Sequence, residues 1–81
     1  SGIHNVMVYP NPVANMLTID NCASVRTITV VDVAGKVLQT VESNYESKVT
    51  MHMDSYSKGI YYLKLHDENG ASHVVRVVKV Q

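Results

Sequence analysis

The side chains with chemistry to offer are few: four histidines, one cysteine, five tyrosines and seven acids. His4, His52, His66 and His73 would suit a metal, but their spacing matches no compact ligand motif. Cys22 brings no second thiolate to such a site and forms no intramolecular disulfide. The histidines therefore read as surface side chains and Cys22 as a small packed residue. No metal and no cofactor is expected. Serine, histidine and aspartate are all present, yet no nucleophile-elbow motif occurs. Asp67-Glu68 sits in a turn and reads as a solvated corner rather than an acid–base pair. The four glycines lie too far apart to cradle a phosphate. Exposed tyrosines can stack on sugars or bases. Of the five here, Tyr61 is expected in the core and Tyr62 on the opposite, exposed face. No catalytic residue emerges, and the chain is not expected to be an enzyme.

Size and charge narrow the class further. Eighty-one residues make one domain. Such a chain buries about 60% of the surface its unfolded form exposes, enough for a small core without staples. Seven basic residues balance seven acidic ones and are scattered along the chain, which argues against a nucleic-acid partner. No apolar run approaches the ~20 residues of a membrane helix. Ser1-Gly2 reads as a remnant of cloning, residues 1–5 as linker and residues 6–81 as the domain.

The strongest strand signal is Gly59-Ile60-Tyr61-Tyr62-Leu63-Lys64-Leu65. Alternation puts Tyr61, Leu63 and Leu65 on one face, suited to a core. Strands are also expected at Val6 to Tyr9, Met16 to Ile19, Arg26 to Val33, Lys36 to Val41, Glu46 to Asp54 and Ser72 to Val80. Leu17 and Ile19 share a face, as do Ile28 and Val30. Val49, Met51 and Met53 share another. Pro10-Asn11-Pro12 is a stiff corner, because each ring fixes its own φ and pushes its predecessor toward extended geometry. Asp32-Val33-Ala34-Gly35 is a hairpin turn in which Gly35 supplies positive φ. Ser55 to Lys58 is a loop or a single helical turn.

Seven short strands with regular turn signals indicate an all-β, seven-stranded, Ig-like antiparallel sandwich. The tryptophan and disulfide of antibody domains are absent. The last strand carries valines on both faces, whereas a sandwich strand normally turns one face to water. The outward valines read as strand formers on a solvated strand; the alternative is that a partner recognises this strand, by edge pairing for example, and a homodimer through it is one such arrangement.

Three segments together are distinctive. Tyr9-Pro10-Asn11-Pro12 precedes Met16-Leu17-Thr18-Ile19. Val30-Val31-Asp32-Val33-Ala34-Gly35-Lys36-Val37 follows. Gly59-Ile60-Tyr61-Tyr62-Leu63-Lys64-Leu65 comes late, with Val77-Val78-Lys79-Val80-Gln81 last. In this order the chain resembles the C-terminal sorting domain of the bacterial type IX secretion system, from about Val6 to Gln81.

The resemblance implies an Ig-like sandwich that serves as a secretion signal. Such a domain directs a cargo, joined on its N-terminal side, from the periplasm across the outer membrane to the cell surface or the medium. The partners it implies are the outer-membrane translocon, a shuttle protein and a surface sortase that removes the domain and attaches the cargo to lipopolysaccharide. Matched onto this chain, the signal motifs are Pro10, Asn11, Pro12, Asp32, Gly35, Lys36, Gly59, Tyr61, Leu63 and Lys64. The implied terminal recognition residues are Val77, Val78, Lys79, Val80 and Gln81. Tyr56 departs from the family, where leucine is common. The alternative is an Ig-like carbohydrate-binding or adhesive accessory module.

Overall fold

The computed structural model describes residues 5–81, so the reading of Ser1-Gly2 lies outside the described residues. Seven antiparallel strands form two sheets, and no α-helix occurs among the described residues. The strands are β1 (Met7–Tyr9), β2 (Met16–Asp20), β3 (Thr27–Asp32), β4 (Val37–Glu42), β5 (Lys48–His52), β6 (Gly59–His66) and β7 (Ser72–Lys79). One sheet has the order β1-β2-β5 and the other β4-β3-β6-β7. The expected sandwich is therefore present, with strand ends one or two residues from the sequence reading. Residues 55–58 form turns and bends, not a helical turn.

The core lies between the sheets and follows the alternation. Leu17, Ile19 and Met51 enter it from the three-stranded sheet; Ile28, Val30, Tyr61, Leu63, Leu65 and Val77 enter from the other. Each fully buried leucine or isoleucine contributes about 1.5–3 kcal/mol. Met53 lies just beyond β5 but keeps its place in the core, where its N–H donates to the Asn15 carbonyl at 2.7 Å. Val13, Cys22 and Val25 are also fully buried, from segments outside the strands.

Pro10-Asn11-Pro12 moves the chain between sheets. Before it, β1 pairs with β2; after it, Val13 bridges Lys79 of β7 in parallel. The Tyr9-Pro10 and Asn11-Pro12 peptide bonds are both cis. Val13 donates to the Val78 carbonyl at 2.8 Å and accepts from the Val80 N–H at 2.9 Å. Between Arg76 and Val80 most outward backbone groups of the last strand thus already have partners within the chain. Edge pairing on β7 is left to its Ser72–Val74 end.

Candidate functional site

The register brings the scattered motifs together. β3 ends at Asp32, β4 begins at Val37, β6 begins at Gly59 and β7 ends at Lys79, all at one end of the four-stranded sheet. Asp32 lies opposite Tyr61, Tyr61 opposite Val77, and Gly59 opposite Lys79. Asn11 reaches the same end from the side. Its amide donates to the Arg76 carbonyl at 2.8 Å and accepts from the Val78 N–H at 3.0 Å.

The Asp32 turn is built by its own side chain. Asp32 Oδ1 accepts from the N–H groups of Ala34 and Lys36, each at 2.9 Å. The Asp32 carbonyl accepts from Gly35 N–H at 3.0 Å, and Gly35 has φ of 86°. A side chain at Gly35 would be strained by that φ, although space is open around it. The turn between β6 and β7 repeats this design: Asp67 Oδ1 accepts from Asn69 and Ala71 at 2.9 Å, and Gly70 has φ of 88°. The two turns sit at opposite ends of the sheet.

Beside the Asp32 turn lies a cleft of about 420 Å³, lined by Asp32, Val33, Leu38, Tyr56, Gly59 and Tyr61 among others. Its floor is fixed. The Tyr56 and Tyr61 rings stack at 5.4 Å, the Tyr61 hydroxyl donates to the Ser57 carbonyl, and the Tyr56 hydroxyl donates to Gln39 Oε1 at 2.9 Å. Burial, and then the Tyr61 hydroxyl, push the Tyr56 phenol above its ordinary value. The departure from leucine at position 56 thus supplies a hydrogen bond to β4.

The terminal residues divide by face. Val77 is in the core, and Lys79 is only 3% exposed. The Lys79 ammonium donates to the carbonyls of Gln81, at 2.6 Å, and Val80, at 3.3 Å, so it holds the last residues from beneath. Val78 is half-buried, whereas Val80 and Gln81 are exposed. Among the motif residues, Leu63 is buried and Pro10, Pro12, Lys36 and Lys64 are exposed. Leu63 and Lys64 lie further up β6, away from the shared end.

The groups considered for chemistry lie elsewhere. His52 pairs with Asp54 at 3.7 Å on the exposed side of the other sheet. Among the described residues no group of three or more metal-binding side chains occurs. Cys22 is free and fully buried, and burial pushes its thiol up. Tyr9 donates to Asp20 at 3.0 Å and Tyr45 to Glu68 at 2.8 Å, so the tyrosines form no common platform. Tyr62, expected to be exposed, is half-buried.

Two sheets without an α-helix among the described residues, with several motifs gathered at one end, define an all-β sandwich module. The family model for the secretion system C-terminal sorting domain matches residues 7–80, and the chain belongs to that type IX secretion family. No curated protein matches the sequence.

Proposed function

We propose that the domain is the folded signal by which a cargo, joined to its N-terminal side, is sorted through the type IX outer-membrane translocon. The observation that supports this most is the meeting of Asn11, Asp32, Gly59 and the end of β7 at one end of one sheet. Segments almost 70 residues apart make one surface only when the chain is folded, so the signal is a shape rather than a linear code. The parts of the terminal segment that face outward are Val78, Val80 and Gln81. Val77 and Lys79 act from within, by packing and by holding the backbone.

In this reading the domain passes through the periplasm with its cargo and meets the shuttle protein and the translocon. A surface sortase then removes it and joins the cargo to lipopolysaccharide. That chemistry belongs to the partners.

The test is a fusion of the whole chain to a reporter carrying a periplasmic signal peptide, in a bacterium that has the type IX system. A matched fusion replaces Val80 and Gln81 by aspartates. Both domains are checked for folding by circular dichroism. Reporter at the cell surface with the unaltered chain and in the periplasm with the altered one supports the reading. Reporter retained in the periplasm in both, with the domains folded, overturns it.

A further inference from the structure

The net charge of zero hides an asymmetry. Of the seven basic residues, Arg26 pairs with Glu42 at 4.0 Å, Lys48 pairs with Asp20 at 3.9 Å and Lys79 is buried. The other four, Lys36, Lys58, Lys64 and Arg76, are exposed and make no ion pair among the described residues. All four lie on the four-stranded sheet or on the loops at its motif end.

The outer face of that sheet is graded in the same direction. Its cross-strand rows can be read from the register. At the far end the row is Glu42, Thr27, His66 and Ser72. Next come Thr40, Thr29, Lys64 and Val74, then Val37, Val31, Tyr62 and Arg76. At the motif end Ile60 faces Val78. Polar residues thus give way to apolar ones toward the motifs. Val37 is 58% and Val74 51% exposed, although this face turns away from the core. Arg76 and Lys64 flank the apolar rows, and the one acid on the face, Glu42, is at the far end and already paired with Arg26.

We infer that this outer face, with Val37 and Val74 exposed, Tyr62 and Val78 half-buried between them and Lys64 and Arg76 alongside, docks a partner protein whose matching surface is apolar at its centre and carboxylate-bearing at its rim. The inference rests on the sorting function proposed above, and it names the chemistry of the partner. Unpaired cations beside an exposed apolar strip set the complement: such charges steer encounter and reject like-charged partners. That also disfavours a second copy of this chain, which would bring the same cations. A sheet face of valines, an isoleucine and one half-buried tyrosine suits a protein surface better than a bilayer, which takes large exposed apolar side chains inserted among headgroups.

The test uses the same reporter fusion with Lys64→Glu/Arg76→Glu, Val78→Asp, Arg76→Lys and, on the other sheet, His52→Gln. All these side chains lie at the surface or on the outer face, and thermal melts establish that each variant is folded. Surface export is expected to fall about tenfold or more for the charge-reversed pair and for Val78→Asp, and to stay within about twofold for Arg76→Lys and His52→Gln. A photo-crosslinking residue at position 74 should join the fusion to a type IX component, and the charge-reversed pair should abolish that product. Full export of the folded charge-reversed pair, with the unaltered fusion exported, overturns the inference and leaves the sorting function standing. Failure of the unaltered fusion removes both. Flotation with phosphatidylglycerol vesicles but not phosphatidylcholine vesicles, lost on charge reversal, assigns the face to a lipid and also overturns the inference.

Discussion

Asn11 and Val78 are 67 residues apart in sequence, yet the Asn11 carboxamide holds the edge of β7 at Val78 as another strand would. It receives the Val78 N–H and donates to the carbonyl of Arg76, two residues earlier. Val13 takes over one step further along. The Pro-Asn-Pro corner therefore both carries the chain from one sheet to the other and closes the terminal edge.

Replacing Asn11 tests that closure. Asn11→Ala leaves two backbone groups of β7 without partners and should cost about 1–2 kcal/mol in urea denaturation. Asn11→Asp keeps an acceptor for Val78 but loses the donor to Arg76, and should fall between. Amide exchange at Val78 should quicken in Asn11→Ala, which loses the acceptor, and change little in Asn11→Asp, which keeps it. An opened edge also invites pairing with other chains, so light scattering should show more self-association for Asn11→Ala than for the unaltered chain.

The twin aspartate turns separate folding from signalling. Asp32 and Asp67 make the same pair of side-chain bonds to the backbone. Asp32→Ala and Asp67→Ala should each lower stability by about 1 kcal/mol, because a local turn bond of this kind is worth that much. Only Asp32→Ala should also reduce export of the reporter. Equal export defects for the two turns would mean that the Asp32 motif serves stability alone.

Acid should weaken the three-stranded sheet at Asp20. The Asn21 N–H, and then the Tyr9 hydroxyl, hold its carboxyl below the ordinary value of 3.8. A carboxylate lowered by folding adds stability above its unfolded value, and that stability fades as pH falls through the folded one. Unfolding of Asp20→Asn and of the unaltered chain, compared from pH 7 to pH 2, should differ at neutral pH and converge below pH 3.8. A gap that widens toward low pH would contradict this account.

Cys22 should behave as a core residue. Its sulfur is wholly enclosed, with the Ile19 carbonyl at 3.5 Å and that of Glu46 at 3.4 Å. A thiol-specific reagent should label the folded domain only as fast as the domain opens. Cys22→Ala should cost about 1 kcal/mol, comparable to loss of one buried methylene. Prompt labelling under native conditions would overturn the assignment.

Much of the fold is legible in the alternation. Leu17, Ile19, Ile28, Val30, Met51, Leu63 and Leu65 are core residues, and each belongs to an alternating set that shares one face of its strand. Gly35 is legible from its turn. The site is less so. Val13 follows the second proline with no strand pattern around it, and its burial depends on β7 arriving beside it. The bonds of the Lys79 ammonium to the carbonyls of Val80 and Gln81 depend on the backbone path there, where Gln81 has φ of 70°. The meeting of the motifs follows from the strand order β4-β3-β6-β7, which period-two patterning does not encode. The last strand carries valines on both faces. Their inner set packs the core, and their outer set belongs to the exposed strip.

The central claim is that sorting reads a folded surface assembled from distant motifs. Ile28→Asp tests it most directly, because Ile28 is fully buried in β3 and lies outside every motif. A buried unpaired carboxylate should unfold the domain while leaving each motif intact in sequence. With equal amounts of full-length fusion in the cell, the account predicts that the Ile28→Asp reporter stays in the periplasm. Surface export at the level of the unaltered fusion, from a domain shown by circular dichroism to be unfolded, would contradict it.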